Sequence, residues 1–437
     1  MSHPNCSNSY YFKLELGMLV EFRVRNFRSL RDEQVLSFVA SSDRAHSESH
    51  TIETGMRSAP RLNRASVIYG ANASGKSNLI FALATMRNLV MTSTSMPEAA
   101  FAEQYTPFRL DRATASDPTE FEITAIVNGV RYQYEFAYDA RRITAESLTV
   151  YRTSKGQRWF ERRWNNDRSD YEWSSFSAYF TGPKDVWRKA TRSQALFLTT
   201  AAQLNSQQLR PLVDWWSSQV LIVSWSGAVS LLPTLQHLDD AAFKKRVLGL
   251  LRAADIHIAD IRVDKEQGQQ VEFKFELGKP PEVAARDHEI PVVRFLHQLE
   301  GEEPVWFDTR FESAGTQKLL AYIGPLLEAI DAGKLLVIDE LDSSLHPMVM
   351  RLIMELIHDP KLSARGAQLC ITTHDTSLLD DELLRRDQFW FVEKNELQAS
   401  RLYPLSDFSP RKGEALEKGY LRGRYGGVPF IARTGIH

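Results

Sequence analysis

Val67-Ile68-Tyr69-Gly70-Ala71-Asn72-Ala73-Ser74-Gly75-Lys76-Ser77-Asn78-Leu79 runs from a short apolar stretch through a glycine-rich turn into an apolar helical pattern. Gly70 and Gly75 bracket four residues, Ala71, Asn72, Ala73 and Ser74, whose backbone N–H groups can curl around a polyphosphate. Glycine tolerates the positive φ that aims successive amides at one point. Lys76 supplies a point charge for the β- and γ-phosphates and Ser77 a hydroxyl for Mg²⁺, while the helix that follows, with Asn78 in its first turn, contributes its positive end. A GxxxxGK[ST] match can arise by chance; the β-branched run before it and Leu79-Ile80-Phe81-Ala82-Leu83-Ala84 after it are the strand and helix that the motif needs.

Farther along, Lys334-Leu335-Leu336-Val337-Ile338-Asp339-Glu340 reads as a buried strand ending in two carboxylates. A parallel sheet presents such strand ends at its ligand crevice. Asp339 is the candidate Mg²⁺ ligand and Glu340 the candidate for orienting water, against the plainer reading of two acids capping a helix. Leu341-Asp342-Ser343-Ser344-Leu345-His346-Pro347 then opens a helix over 348–358, and Gln368-Leu369-Cys370-Ile371-Thr372-Thr373 predicts a further strand ending at His374. Between the two halves, Phe311-Glu312-Ser313-Ala314-Gly315-Thr316-Gln317-Lys318 is a small-residue turn before a helical run over 319–330. Ser313 and the Gly315 N–H at that helix start can form a second anion site, or Ser313 can be a plain N-cap.

The rest of the chain predicts the scaffold. Met18-Leu19-Val20-Glu21-Phe22-Arg23-Val24-Arg25 alternates as a half-buried strand, and Met18 offers an alternative start. Residues 34–40 read as a second strand and 41–63 as a polar loop. Strands 120–127 and 130–136 flank Asn128-Gly129, a hairpin signal, and 147–152 completes an antiparallel meander. Residues 171–263 read as helical, with Trp215, Trp216 and Trp225 as core anchors, because no lysine or arginine interleaves with them as in a nucleic-acid stacking platform. Strand patterns return at 271–277, 291–299 and 305–307. The expected organisation is 1–17 as an N-terminal extension, 18–165 as one half of a nucleotide-binding head, 166–300 as a helical insertion and 301–437 as the other half.

The 437 residues, 43% hydrophobic and 25% charged with a formal net charge of −2, suit a soluble globular protein of one or two domains. Near-neutral charge excludes a bulk attraction to nucleic acid and leaves open a local basic patch. No apolar run approaches the roughly 20 residues of a membrane span, and residues 1–11 lack an apolar signal core, so the expectation is a cytoplasmic protein without a membrane role. Of the two cysteines, Cys370 lies inside an apolar strand pattern and reads as a small buried hydrophobe. The spacing of Arg44 to His50 superficially resembles an RNase-type Arg/His pair, but it lies in a polar loop without the helical periodicity that would make it one.

Taken in order, phosphate loop, small-residue turn, double-acid strand and strand ending in histidine, the sequence resembles an ABC-type ATPase head of the kind shared by SMC proteins, RecF and overcoming-lysogenization-defect proteins. That resemblance implies an α/β fold, a P-loop head with a mixed sheet, an antiparallel β meander and an inserted helical region. It implies Gly70 to Ser77 as phosphate loop, Ser313-Ala314-Gly315 as signature, Leu335 to Asp339 as Walker B, Glu340 as catalytic carboxylate, Asp342 in the D-loop and His374 as switch histidine. Asn26-Phe27-Arg28-Ser29 resembles the family's N-terminal nucleotide-contacting loop. The signature departs from the usual pattern in having Thr316-Gln317-Lys318 after the glycine and no leading leucine. Gln104 is either the glutamine-loop residue or a plain loop residue.

Met18 to Leu30, Gly70 to Asn78, Glu312 to Lys318 and the tail Tyr420-Leu421-Arg422-Gly423-Arg424-Tyr425-Gly426-Gly427-Val428-Pro429 resemble more narrowly the compact RloA/AbiLi-like ATPases of phage defence. The resemblance implies ATP and Mg²⁺, a homodimer or higher oligomer with composite ATP sites, and a separate nuclease-like effector such as an RloB-like protein, in an abortive-infection role. The tail is either a solvated loop or a contact for a partner or the nucleotide. A DNA-repair ATPase of the RecF kind is the competing expectation, and a self-contained nuclease would need a metal or nucleophile cluster that the motifs do not contain.

Overall fold

The computed structural model describes residues 17–223, 230–274, 282–408 and 413–428. Cys6, Trp225, 275–277 of one expected strand and Pro429 lie outside them. The chain divides into two compact units. One is drawn from Met1–Ser226, Glu328–Asp342 and Ile353–His437, the other from Gly227–Leu327 and Ser343–Leu352.

The first unit is built on a six-stranded sheet in the order Val220–Val223, Leu335–Ile338, Gln368–Thr372, Ala65–Gly70, Phe389–Lys394, Ser400–Pro404. All neighbours are parallel except the last pair. Leu335–Ile338, Gln368–Thr372 and Ala65–Gly70 are buried at every position, which is why their sequences run apolar without alternation. Parallel register, with Ile338 opposite Ile371 and Thr372 opposite Ile68, brings the carboxyl ends of these three strands to one edge of the sheet. The phosphate loop, the paired acids and the histidine loop all leave from that edge.

A seven-stranded antiparallel sheet belongs to the same unit, in the order Asp170–Trp173, Gln157–Asn165, Ile143–Tyr151, Val130–Tyr138, Thr119–Val127, Gly17–Arg25, Gln34–Ser37. Asn128 and Gly129 both take positive φ, 53° and 74°, as the two-residue turn requires. The two sheets are stitched by Gln368, whose Oε1 accepts from Leu19 N at 2.7 Å and whose Nε2 donates to Leu19 O at 2.9 Å. Glu146 and Arg162, both fully buried, pair at 2.7 Å; the carboxylate also accepts the Phe197 and Leu198 N–H groups and so fixes the first turn of helix Phe197–Gln203.

The expected meander, the phosphate-loop strand and helix, and the strands at 305–308 and 368–372 are all present. The reading of 171–263 as helical holds for Lys184–Ala190, Phe197–Gln203, Arg210–Ser218 and Ala241–Ala253. It fails at 171–173 and 260–263, which belong to strands Asp170–Trp173 and Asp260–Lys274, and at Val220–Val223, a strand parallel to Leu335–Ile338, where pairing across more than a hundred residues overrides the local pattern. The two compact units divide at 226/227, 327/328, 342/343 and 352/353. The stretch 41–63 is not only a loop: Thr51–Glu53 pairs with Arg61–Asn63. Trp215 and Trp216 are buried as expected, and so is Cys370.

The second unit carries a three-stranded sheet, Asp260–Lys274, Glu282–His297 and Val305–Asp308, with helix Ala241–Ala253 and most of helix Ala314–Ala332. Pro325 lies inside the latter helix. One residue before it, Gly324 N donates to Thr234 Oγ1 at 3.0 Å and that hydroxyl donates to Leu320 O at 2.6 Å, so Thr234 is inserted into the helical hydrogen-bond ladder where proline disturbs it.

Back in the first unit, His50 and His358 are buried and stacked, ring centroids 3.8 Å apart. Burial, opposed by the Leu383 carbonyl and reinforced by His46, Arg385 and Arg64, lowers the His50 pKa to about 4; burial and His50 push His358 down as well. A base whose folded pKa is depressed adds stability that is complete above its ordinary value near 6.5 and is lost as pH falls toward the folded value. His50 alone is expected to remove about 2 kcal/mol between pH 7.5 and pH 5. Urea melts at those two values check this, and an unchanged midpoint would refute it.

Candidate nucleotide site

Strand Ala65–Gly70 ends at a loop whose geometry admits few side chains. A Cβ on Gly70 would sit 2.4 Å from Val392 O, and one on Gly75 would sit 2.2 Å from Ser400 Oγ and 2.8 Å from Ser29 Oγ. Gly75 has φ +112° and caps helix Lys76–Thr92, while Ala73 takes φ 61°. Asn72 and Ala73 are exposed, and Ser74 Oγ is buried without a partner among the described residues. Ser400 Oγ donates to Ser74 O and accepts from Ser29 Oγ at 2.7 Å, while Ser29 Oγ accepts from Asn78 Nδ2 at 2.7 Å. The loop is therefore held from outside by Ser29 and Ser400, and within itself by Ser74 N donating to Ala71 O at 3.1 Å.

Lys76 is buried, and its three ammonium donors are directed to Gly70 O at 2.8 Å, Ala71 O at 3.3 Å and His374 Nε2 at 3.0 Å. An ammonium can only donate, so His374 accepts through Nε2 and carries its proton on Nδ1. Burial lowers the Lys76 pKa to about 8 against the opposing pull of Glu340, Asp342 and Asp339; burial, then Lys76, also lowers that of His374. The lysine folds back onto its own loop, and a γ-phosphate bound at the loop would take the place of these uncharged acceptors.

The acids are set by Thr372 on the neighbouring strand. Its hydroxyl donates to Asp339 Oδ1 at 2.6 Å and accepts from Glu340 N at 2.7 Å. Asp339 is buried with Oδ2 unbonded among the described residues, and Glu340, at φ 52°, turns sharply out of the strand. Asp342 Oδ2 accepts from His374 N at 3.1 Å, so His374 links Lys76 to Asp342. Ser77 in the first helical turn and Asp339 Oδ2 are an oxygen donor pair of the kind Mg²⁺ takes, with water and phosphate completing the shell; among the described residues no cluster of three or more His, Cys, Asp or Glu could hold a metal alone.

The structure brings together Gly70, Ser74, Gly75, Lys76, Ser77, Asp339, Glu340, Asp342 and His374. Four other residues named from the sequence make different contacts. Asn26 is buried, its amide is spent on the Thr114, Asp117 and Pro118 carbonyls and its Oδ1 on Phe108 N, so it shapes the N-terminal turn instead of touching a ligand. Phe27 is in the hydrophobic core, leaving Arg28 as the exposed residue of that turn, its guanidinium 4.4 Å over the Phe81 ring. Asn78 points its amide at Ser29 and so braces the loop. Gln104 bonds Asn88 and Ala100 O, away from the phosphate loop's own contacts.

In the second unit, Ser313 Oγ accepts from Thr316 N at 3.0 Å, the N-cap of helix Ala314–Ala332. A Cβ on Gly315 would lie 2.8 Å from Ser344 O, and Lys318 Nζ donates to Ser343 O at 2.9 Å, so the turn needs glycine because the backbone after the D-loop passes directly over it. Sequence reasoning missed Thr372, the bracing contacts of Ser29, and Ser400 altogether. A threonine pair ending the strand before His374 was the available signal for the first; the other two act across some 370 residues and leave none.

A lysine-bearing glycine loop between strand and helix, with two acids at the same end of a parallel strand two places along the sheet, defines the class of P-loop nucleotide-binding proteins. More narrowly, residues 65–380 match the family described as "AAA domain, putative AbiEii toxin, Type IV TA system", and this chain belongs to that family. No curated protein matches the sequence. Solved structures similar to it include an SMC head domain from Thermotoga maritima, 13% identical with a TM-score of 0.39, covering 88% of this chain and 98% of that one. Another is an Smc head domain with an extended coiled coil bound to the C-terminal domain of ScpA, derived from Pyrococcus furiosus, 10% identical with a TM-score of 0.43, covering 90% and 98%. Among the described residues no helix is long and apolar enough to cross a membrane.

Proposed function

We propose that the chain binds and hydrolyses ATP and works as a dimeric, nucleotide-driven switch on a separate effector protein in defence against phage. The observation that carries this reading is Lys76 held between the phosphate-loop carbonyls and His374, beside Asp339 and Glu340. Lys76 and the loop amides would bind the β- and γ-phosphates, and Ser77 and Asp339 would hold Mg²⁺. The bound ion would supply charge neutralisation at the phosphate oxygens. Glu340, turned out of its strand, would orient the attacking water, and His374, neutral and tethered to Asp342, would hold a proton on Nδ1 near the γ-phosphate.

The composite-site dimer, with Ser313 and Gly315 of one subunit meeting the nucleotide of the other, is part of the same proposal. The family description names a putative toxin of a toxin–antitoxin system, which supports the defence setting; in the switch reading, a few kcal/mol of differential affinity between nucleotide states suffices to hold or release an effector. The purified chain is expected to release phosphate from ATP with Mg²⁺ and to leave duplex DNA and RNA uncut. Nuclease activity that co-purifies with the homogeneous chain and survives Lys76→Ala would replace the switch with a self-contained enzyme.

A further inference from the structure

The tail over 413–428 packs against its own chain: Tyr420 and Tyr425 are buried, while Arg422 and Arg424 are exposed. The Tyr420 ring stacks on Phe391, centroids 5.4 Å apart, and lies 5.7 Å from the ring of Tyr69, the residue before the first phosphate-loop glycine. Tyr425 stacks on the same Phe391 at 6.0 Å. The tail also closes on itself. Tyr420 Oη donates to Gly427 O at 3.0 Å and Tyr425 Oη to Glu414 Oε1 at 2.8 Å. Its path needs glycine: a Cβ on Gly426, at φ 68°, would lie 2.3 Å from Tyr403 Oη.

From this shape the tail reaches both loops that supply acceptors to Lys76. On one side it is gripped by strand Ser400–Pro404, where Tyr403 Oη donates to Tyr425 O at 3.0 Å; Ser400, at the head of that strand, holds Ser74 O of the phosphate loop. On the other side Glu417 Oε1 accepts from Thr376 Oγ1 at 2.7 Å and Asp381 Oδ2 accepts from Gly413 N at 3.2 Å. The segment that follows His374 is thus fastened to the tail at two points. Lys76 Nζ spans the same two loops, with Gly70 O and Ala71 O on one and His374 Nε2 on the other. A γ-phosphate that draws Lys76 away takes that Nε2 contact from His374. What then holds the histidine loop is Asp342 at the His374 N–H and Glu417 at Thr376.

We propose that the C-terminal tail is a positioning element of the nucleotide site, in which Glu417, acting through Thr376, keeps the His374 loop in register with the phosphate loop once Lys76 has turned to phosphate. Glu417 touches no reacting atom, and its effect falls on turnover because reaction rate is steep in the placement of the groups around the reacting phosphate. The kinetic part of the inference rests on the ATPase reading given above. The geometric part, that the tail holds the loop, does not.

Full-length Glu417→Ala is expected to bind ATP as the wild type does and to turn it over about fivefold more slowly, the effect of losing one hydrogen bond to a carboxylate. Glu417→Gln keeps an acceptor oxygen for Thr376 and is expected to restore the rate. Thr376→Val should match Glu417→Ala, and the double variant should be no slower than either, because both changes remove the same contact. Without nucleotide, hydrogen exchange of the amides over 374–378 is expected to quicken in Glu417→Ala and not in Glu417→Gln. Wild-type protein that neither binds nor hydrolyses ATP would end the ATPase reading, and the exchange measurement would still decide whether the tail holds the loop. Unchanged exchange in Glu417→Ala would overturn the proposal. In an active enzyme so would unchanged turnover, a loss confined to ATP affinity, or additive losses in the double variant.

Discussion

Lys76→Ala is expected to abolish ATP binding, whereas Glu340→Gln keeps binding and loses hydrolysis. The two defects separate because the two groups meet different atoms. The lysine ammonium is the cation that replaces its contacts with Gly70 O, Ala71 O and His374 by phosphate oxygens, so its loss removes ground-state affinity. Glu340 turns out of the strand on a positive φ, and in the proposed mechanism it would orient a water in line with the γ-phosphate. A positioned general base is worth about 10²–10⁴-fold in rate. Thr372→Val is expected to fall between them, since it leaves both carboxylates in place but removes the hydroxyl that holds Asp339 and the Glu340 backbone together. Nucleotide titration beside a phosphate-release assay distinguishes the three, and Glu340→Gln turning over at near wild-type rate would strip that residue of its role.

Mixing Lys76→Ala subunits with Ser313→Arg subunits, each inactive alone, is expected to recover ATPase activity. If the signature turn of one subunit completes the phosphate site of the other, a mixed dimer has one site with both lesions and one with neither. Random mixing makes half of the dimers mixed, so recovery should approach about one quarter of wild type under two-fold symmetry. Ser313→Arg places a bulky cation where Ser313 Oγ caps the Thr316 N–H. Ser313→Ala separates the cap from steric exclusion: losing an N-cap costs about 1 kcal/mol of stability without blocking the approach of a second subunit. No recovered activity, with subunit exchange demonstrated by mass, would rule out a shared site.

The parts of this molecule that the amino-acid sequence determined by itself are those set by neighbours in the chain. Gly70, Gly75 and Lys76 were legible because a strand, a tight turn and a helix follow one another within a dozen residues, and each has a local signature. Asp339 and Glu340 were legible because they interrupt an apolar run, and Asn128-Gly129 because both residues accept positive φ. Tertiary structure alone decided the rest. Val220–Val223 is a strand because Leu335–Ile338 offers it a parallel edge. The turn at Asn26 faces inward because its amide finds the Thr114, Asp117 and Pro118 carbonyls, leaving Arg28 outside. Thr372 joins the acids, and Ser29 and Ser400 brace the phosphate loop, through hydrogen bonds between residues up to 371 positions apart. A hydroxyl carries no periodicity or spacing that announces its partner; where it bonds is fixed only when the packing of apolar strands has brought two distant chain segments within three ångströms.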